Sequence, residues 1–181
     1  MHVTSRLKLL VPEVGTLPME FKPRLRDVAD SNHAKQYLMP GRVFTTAKPH
    51  VITAIVGSGV TVCLWDPISK VGGANHYLLP NDASGNPQDP KYAQFASHQL
   101  LREVLQKGAN RNSLQAKIFG GSVPTVLFSH ANDCIGARNV EAAVKFVTQE
   151  KLQLVQREAG GTKARKILFQ TDDGRSWTEL L

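Results

Sequence analysis

The feature that most restricts this chain is a set of short, β-branched apolar stretches, each stopped by a turn before it could complete a helix. After Pro40-Gly41 come Arg42–Thr46, then 51–56, then Val60–Trp65, with Gly57-Ser58-Gly59 between the last two and Asp66-Pro67 closing the third. Runs of this length and composition form strands. Further strands are expected at 75–79, 114–119, 152–155 and 166–171. Asp172-Asp173-Gly174 then supplies a hairpin turn into Ser176–Leu180. Helical spacing occurs twice. Over 91–107, Ala93, Ala96, Leu100, Leu101, Val104 and Leu105 fall on one face, and Gly108 stops the run. Over 140–149, Val140, Ala143, Val144 and Val147 do the same. The first of these is expected to be the longest helix. The pattern predicts an α/β chain whose sheets are covered by helices on one side.

With 181 residues there is material for one domain with a real core. Positions 1–36 read as a loosely ordered extension, interrupted by Pro12, Pro18 and Pro23, and 37–181 as the domain. The segment 81–90, rich in Asn, Asp, Gly and Pro, reads as a loop. The apolar stretch Leu9-Leu10-Val11 ends at Pro12 and is too short for a signal-peptide core, so a cytoplasmic location is expected. The net charge of +7 raises nucleic-acid binding, but the basic residues are dispersed rather than gathered on one element. A solvated basic surface, or attraction to an acidic protein partner, fits them better.

Taken one by one, the chemically suggestive residues say little. Gly57-Ser58-Gly59 follows a strand, yet Val62 stands where a dinucleotide fingerprint needs a small residue, and strand rather than helix follows. The glycines are expected at a bulge or tight bend. His76 alone reads as a strand histidine satisfied by a neighbour. Cys63 reads as a buried small hydrophobe, and Cys134, beside Asn132 and Asp133, as a more exposed loop thiol. Cys63 and Cys134 offer no disulfide framework, and the six histidines offer no metal-ligand spacing, so neither a metal nor a cofactor is expected.

In combination the blocks are specific. Pro40-Gly41-Arg42-Val43-Phe44 is followed by Thr53-Ala54-Ile55-Val56-Gly57-Ser58-Gly59-Val60-Thr61-Val62-Cys63-Leu64-Trp65-Asp66-Pro67. Next come Val71-Gly72-Gly73-Ala74-Asn75-His76-Tyr77-Leu78-Leu79-Pro80, Lys91-Tyr92-Ala93 and Lys117-Ile118-Phe119-Gly120-Gly121. Ile135-Gly136-Ala137-Arg138-Asn139 and Gly160-Gly161 with Arg165-Lys166 complete the set. In this order they resemble the CheD family of chemoreceptor glutamine deamidases, over roughly 37–180.

That resemblance implies a β-sandwich backed by helices and the conversion of receptor glutamines to glutamates. In the family's chemistry a cysteine thiolate attacks the carboxamide, a histidine shuttles the proton, and a threonine orients the histidine. The histidine falls on His76, the threonine on Thr53, and the nucleophile on Gly59, which has no side chain. Cys63 corresponds to a second, non-nucleophilic cysteine, and Glu158 stands where the family usually has aspartate. The implied partners are methyl-accepting chemotaxis receptors, through which alone the protein would meet a membrane, and a CheC-type phosphatase; nucleic acid is not among them. Two functions are compatible with these residues: a deamidase by descent, or an inactive module that binds the receptor or the phosphatase.

Overall fold

The structure, a computed structural model, describes residues 32–80, 88–123 and 134–181. Most of the segment read as an extension and most of the 81–90 loop lie outside the described residues. Among those described, the strands are β1 (Ala34–Tyr37), β2 (Arg42–Thr46), β3 (His50–Val56), β4 (Val60–Trp65) and β5 (Gly72–His76). Helix α1 (Ala93–Gln106), β6 (Gln115–Gly120), α2 (Ile135–Gln149), β7 (Gln153–Ala159), β8 (Arg165–Gln170) and β9 (Ser176–Leu180) follow.

The strands form two mixed sheets. One is four-stranded in the order β1-β3-β8-β9, the other five-stranded in the order β2-β5-β4-β6-β7. Alternation along the strands divides their side chains between two interiors. Ile52, Ala54, Val56, Ile167 and Phe169 from the first sheet meet Cys63, Ala74 and Phe119 from the second. On its other face the five-stranded sheet packs Val60, Val62, Leu64 and Ile118 against Leu100, Val104, Val140 and Phe146 of the two helices. The architecture is therefore sheet, sheet, helices: a sheet-rich α/β sandwich with helices on one side.

Four boundaries differ from expectation, one of them β7, expected at 152–155 and found at Gln153–Ala159. Ala34–Tyr37 is a strand without an apolar signature, because its order comes from parallel pairing with β3. The strand expected at 75–79 lies instead at Gly72–His76 and is buried throughout. Helix α2 begins at Ile135 and is one residue longer than α1, which has 14 residues. No helix among the described residues is long and apolar enough to cross a membrane.

Asp66 ties the turn after β4 to the one after α1. Fully buried, its carboxylate accepts from Ile68 N at 3.0 Å, Ser69 Oγ at 2.7 Å, Asn110 N at 2.8 Å and Ser113 Oγ at 2.7 Å. Burial acts to raise its pKa, but the bonds from Asn110, Ser113, Ser69 and Ile68 outweigh it and hold the group well below the ordinary carboxylate range. A depressed folded pKa gives stability that is present above the unfolded pKa and lost as pH falls below it. Asp66→Asn is expected to cost about 2–3 kcal/mol near neutrality. Urea unfolding at neutral pH and below pH 4 should show that deficit narrowing in acid, where Asp66 of the unfolded chain takes up a proton while the native carboxylate stays ionised.

Candidate active site

Three residues, Gly57 to Gly59, carry the chain from the four-stranded sheet into the five-stranded one. The expected tight bend is thus a change of sheet, and no helix follows it to meet a phosphate. On β5, Ala74 faces the interior between the sheets while Tyr77 joins the core beneath the helices. By alternation His76 therefore faces the inter-sheet side. Its backbone is fixed on β2, where Gly41 N donates to His76 O at 2.7 Å.

These placements bring His76 against position 59. A Cβ built on Gly59 would stand 3.2 Å from His76 Nε2 and 2.7 Å from the Tyr77 carbonyl oxygen. His76 is 3% exposed. Burial lowers its pKa from the usual histidine value, and the Leu38 carbonyl beside the ring offsets this only in part. The imidazole is therefore neutral at pH 7 and able to take a proton. Because its folded pKa is depressed, the unfolded chain binds the proton first, and the fold loses stability as pH falls through the ordinary histidine range.

Thr53 does not join this pair. Its cross-strand partner is Leu168, and Leu168 packs with Val51 and Trp177 on the outer face of the four-stranded sheet. Among the described residues Nδ1 of His76 has no hydrogen-bond partner, so the expected bond from the threonine is not formed. What links the two is backbone: Leu38 N donates to Thr53 O at 2.8 Å, and the Leu38 backbone is near enough to the imidazole to raise its pKa.

Cys63 does not supply a substitute nucleophile. Cys63 lies in the inter-sheet core, where burial outweighs the attraction of nearby Lys117 and pushes its thiol up to about 12. Cys134, expected to be exposed, is 6% exposed and occupies the N-cap position of α2. Among the described residues no group of His, Cys, Asp and Glu is arranged to hold a metal ion.

The residue that the one-by-one reading missed is Asn139. Fully buried on α2, it donates through Nδ2 to Ser58 O and to Leu78 O, both at 2.8 Å, and its own backbone carbonyl accepts from Tyr77 Oη at 2.6 Å. One side chain thus pins the backbone on both sides of the 59/76 pair. Its only signal in the sequence was its place in the Ile135–Asn139 block. From β6, Gly121 N donates to Gly59 O at 2.7 Å. Gly120, at φ +112, lies so close to that carbonyl that a side chain there would collide with it.

Comparisons with known proteins bear on this frame. The family model for CheD chemotactic sensory transduction matches residues 78–179, beginning just after His76. The chain is 37% identical over 148 residues to the probable chemoreceptor glutamine deamidase CheD 1 of Anaeromyxobacter dehalogenans, covering 82% of this chain and 85% of that protein. It is 32% identical over 143 residues to the probable chemoreceptor glutamine deamidase CheD of Sulfurimonas denitrificans, covering 79% and 92%. Among solved structures, a Neisseria meningitidis protein of the family model DUF152 is similar at a TM-score of 0.42 and 10% identity, over 76% of this chain and 66% of that one. So distant a likeness carries no argument about the site.

Proposed function

The chain belongs to the CheD family, and on that premise we propose that it carries a receptor-glutamine site of the deamidase type in which the base is present and the nucleophile is not. The observation that supports this is the 3.2 Å between His76 Nε2 and the Cβ position of residue 59. A thiol placed there would hand its proton to a neutral imidazole, attack the glutamine carboxamide and release ammonia, leaving a thioester for water to open. Glycine forms no such bond. With Cys63 and Cys134 both buried, the protein as written binds its target without hydrolysing it.

The target is a glutamine-bearing segment of a chemotaxis receptor, in keeping with the names of the relatives. A CheC-type phosphatase is a further partner on the same grounds. Thr53 acts through the chain rather than through its hydroxyl, by holding the Leu38 amide while the Leu38 carbonyl faces His76. The test incubates the protein with a receptor cytoplasmic fragment and follows both binding and intact mass. Binding that depends on the receptor glutamines, with no amide-to-acid mass gain, is the expected result. Mass gain at an enzyme's rate would defeat the reading.

A further inference from the structure

Between β4 and β5 the ladder opens beside His76. Val60 pairs with Tyr77, and Cys63 pairs with Ala74, which puts Thr61 opposite His76 in the same antiparallel register. That pair is not bridged. One position on, Val62 N donates to the Asn75 side chain, Oδ1 at 2.9 Å, and Asn75 Nδ2 donates to Ser97 Oγ on α1 at 3.2 Å. The asparagine side chain stands in for the missing ladder bond.

Thr61 and His76 are both buried, at 1% and 3% exposure. Alternation from Cys63 and Ala74, which share the inter-sheet core, sets them on one face. Thr61 Oγ1 and His76 Nδ1 are two polar atoms with no hydrogen-bond partner among the described residues. A buried polar group left without a partner weakens the fold. Side chains directly opposite across two antiparallel strands have Cβ atoms about 5 Å apart. A turn about the threonine's one side-chain bond, or a single bridging water, closes the remaining gap without moving the backbone.

We propose that Thr61 is the positioning residue for His76, its hydroxyl accepting from Nδ1–H directly or across one water. A neutral imidazole carries one N–H. Holding it on Nδ1 leaves the Nε2 lone pair aimed at position 59, where a thiol proton would arrive. Asn75, held by Ser97, keeps Val62 in place beside the pair. The proposal rests on the reading of His76 as the site's base, but its principal test does not require catalysis.

Nitrogen-15 NMR of the imidazole in the chain as it stands should show His76 as the Nδ1–H tautomer. Thr61→Val should move it toward Nε2–H and lower the thermal midpoint, whereas Thr61→Ser should keep both. Three results would overturn the idea: an Nε2–H tautomer in the unmodified chain, an unchanged tautomer in Thr61→Val, or a raised midpoint in Thr61→Val, which is what removing a truly orphaned hydroxyl produces. Should the valine variant not fold, the tautomer of the unmodified chain and of Thr61→Ser still decides. In a Gly59→Cys background, Thr61→Val should lower kcat on the order of tenfold to a hundredfold with KM unchanged. Absence of activity in that background would count against the functional reading and leave the tautomer result standing.

Discussion

Gly59→Cys should raise receptor-glutamine deamidation by on the order of 10⁶-fold over the chain as written, about 8 kcal/mol of barrier. The magnitude follows from what covalent catalysis loses when its nucleophile is absent while the base and the binding surface stay in place. The geometry favours the change on two counts. Gly59 lies outside the left-handed region, so an L-residue meets no backbone penalty there, and its Cβ would point to within 3.2 Å of His76 Nε2. Crowding works against it, since 3.2 Å is itself tight for a Cβ and the imidazole must give slightly. The same Cβ would stand 2.7 Å from the Tyr77 carbonyl oxygen, so that carbonyl must retreat by a few tenths of an ångström. It is held there by Val60 N at 3.0 Å, and the tyrosine hydroxyl is fixed on Asn139. Part of the gain is therefore lost to strain. Ammonia release from a receptor fragment, compared between the two proteins, measures the outcome. Equal rates would show that position 59 is not where the chemistry happens.

In that Gly59→Cys protein, a second change, His76→Ala, should remove most of what the first conferred, by about 10²–10⁴-fold. His76 is buried and its pKa is lowered, so at neutral pH it is a base and not already an acid. A thiol facing it can pass its proton across and react as a thiolate; without it the thiol returns toward an ordinary pKa of about 8.5. Alkylation of the introduced thiol by iodoacetamide reads this directly and needs no substrate. At pH 7 the Gly59→Cys protein should be modified much faster than the double variant, and the two should converge as pH rises past the range of a normal thiol. Identical alkylation profiles would mean that the imidazole and the new sulfur do not communicate.

Much of the frame could be read from residue pattern because three strands, Arg42–Thr46, Val60–Trp65 and Ser176–Leu180, are short runs whose composition leaves no other choice. Where the pattern misled, partners decided. Gly72 and Gly73 hide a strand because glycine has no strand preference of its own. They belong to one because β2 lies so close that a side chain on Gly73 would strike the Phe44 carbonyl. Leu78 and Leu79, more strand-like by composition, leave the ladder so that both can donate to Lys91 O. Helix α2 starts early because Gly136 and Asn139, weak helix formers, are held there by tertiary contacts.

The site was less legible than the frame. His76 and Gly59 are far apart in the chain, and only the resemblance to a family joined them before the sheets did. Thr53 shows the limit of that route. A matched position says which residue stands there but not which face of the strand it occupies, and the row of Leu168 and Val51 takes Thr53 outward. Thr61 and Asn75 drew no notice because nothing in their neighbours in sequence marks an interrupted ladder.

The sheet order has a consequence for how the protein is made. Strand β3 leads directly into the bend at Gly57, yet the neighbour it pairs with along most of its length, β8, is encoded roughly a hundred residues later. At ordinary translation rates that is about 10 s during which the segment bearing the future site has left the ribosome with one edge unmatched. Through that interval its one partner among the described strands is the four-residue β1. The Asn139 clamp on Ser58 and Leu78 also arrives in the latter part of synthesis. The site is thus synthesised well before the strand and the asparagine that give it shape, and nascent chains halted before Arg165 should be the ones that chaperones retain.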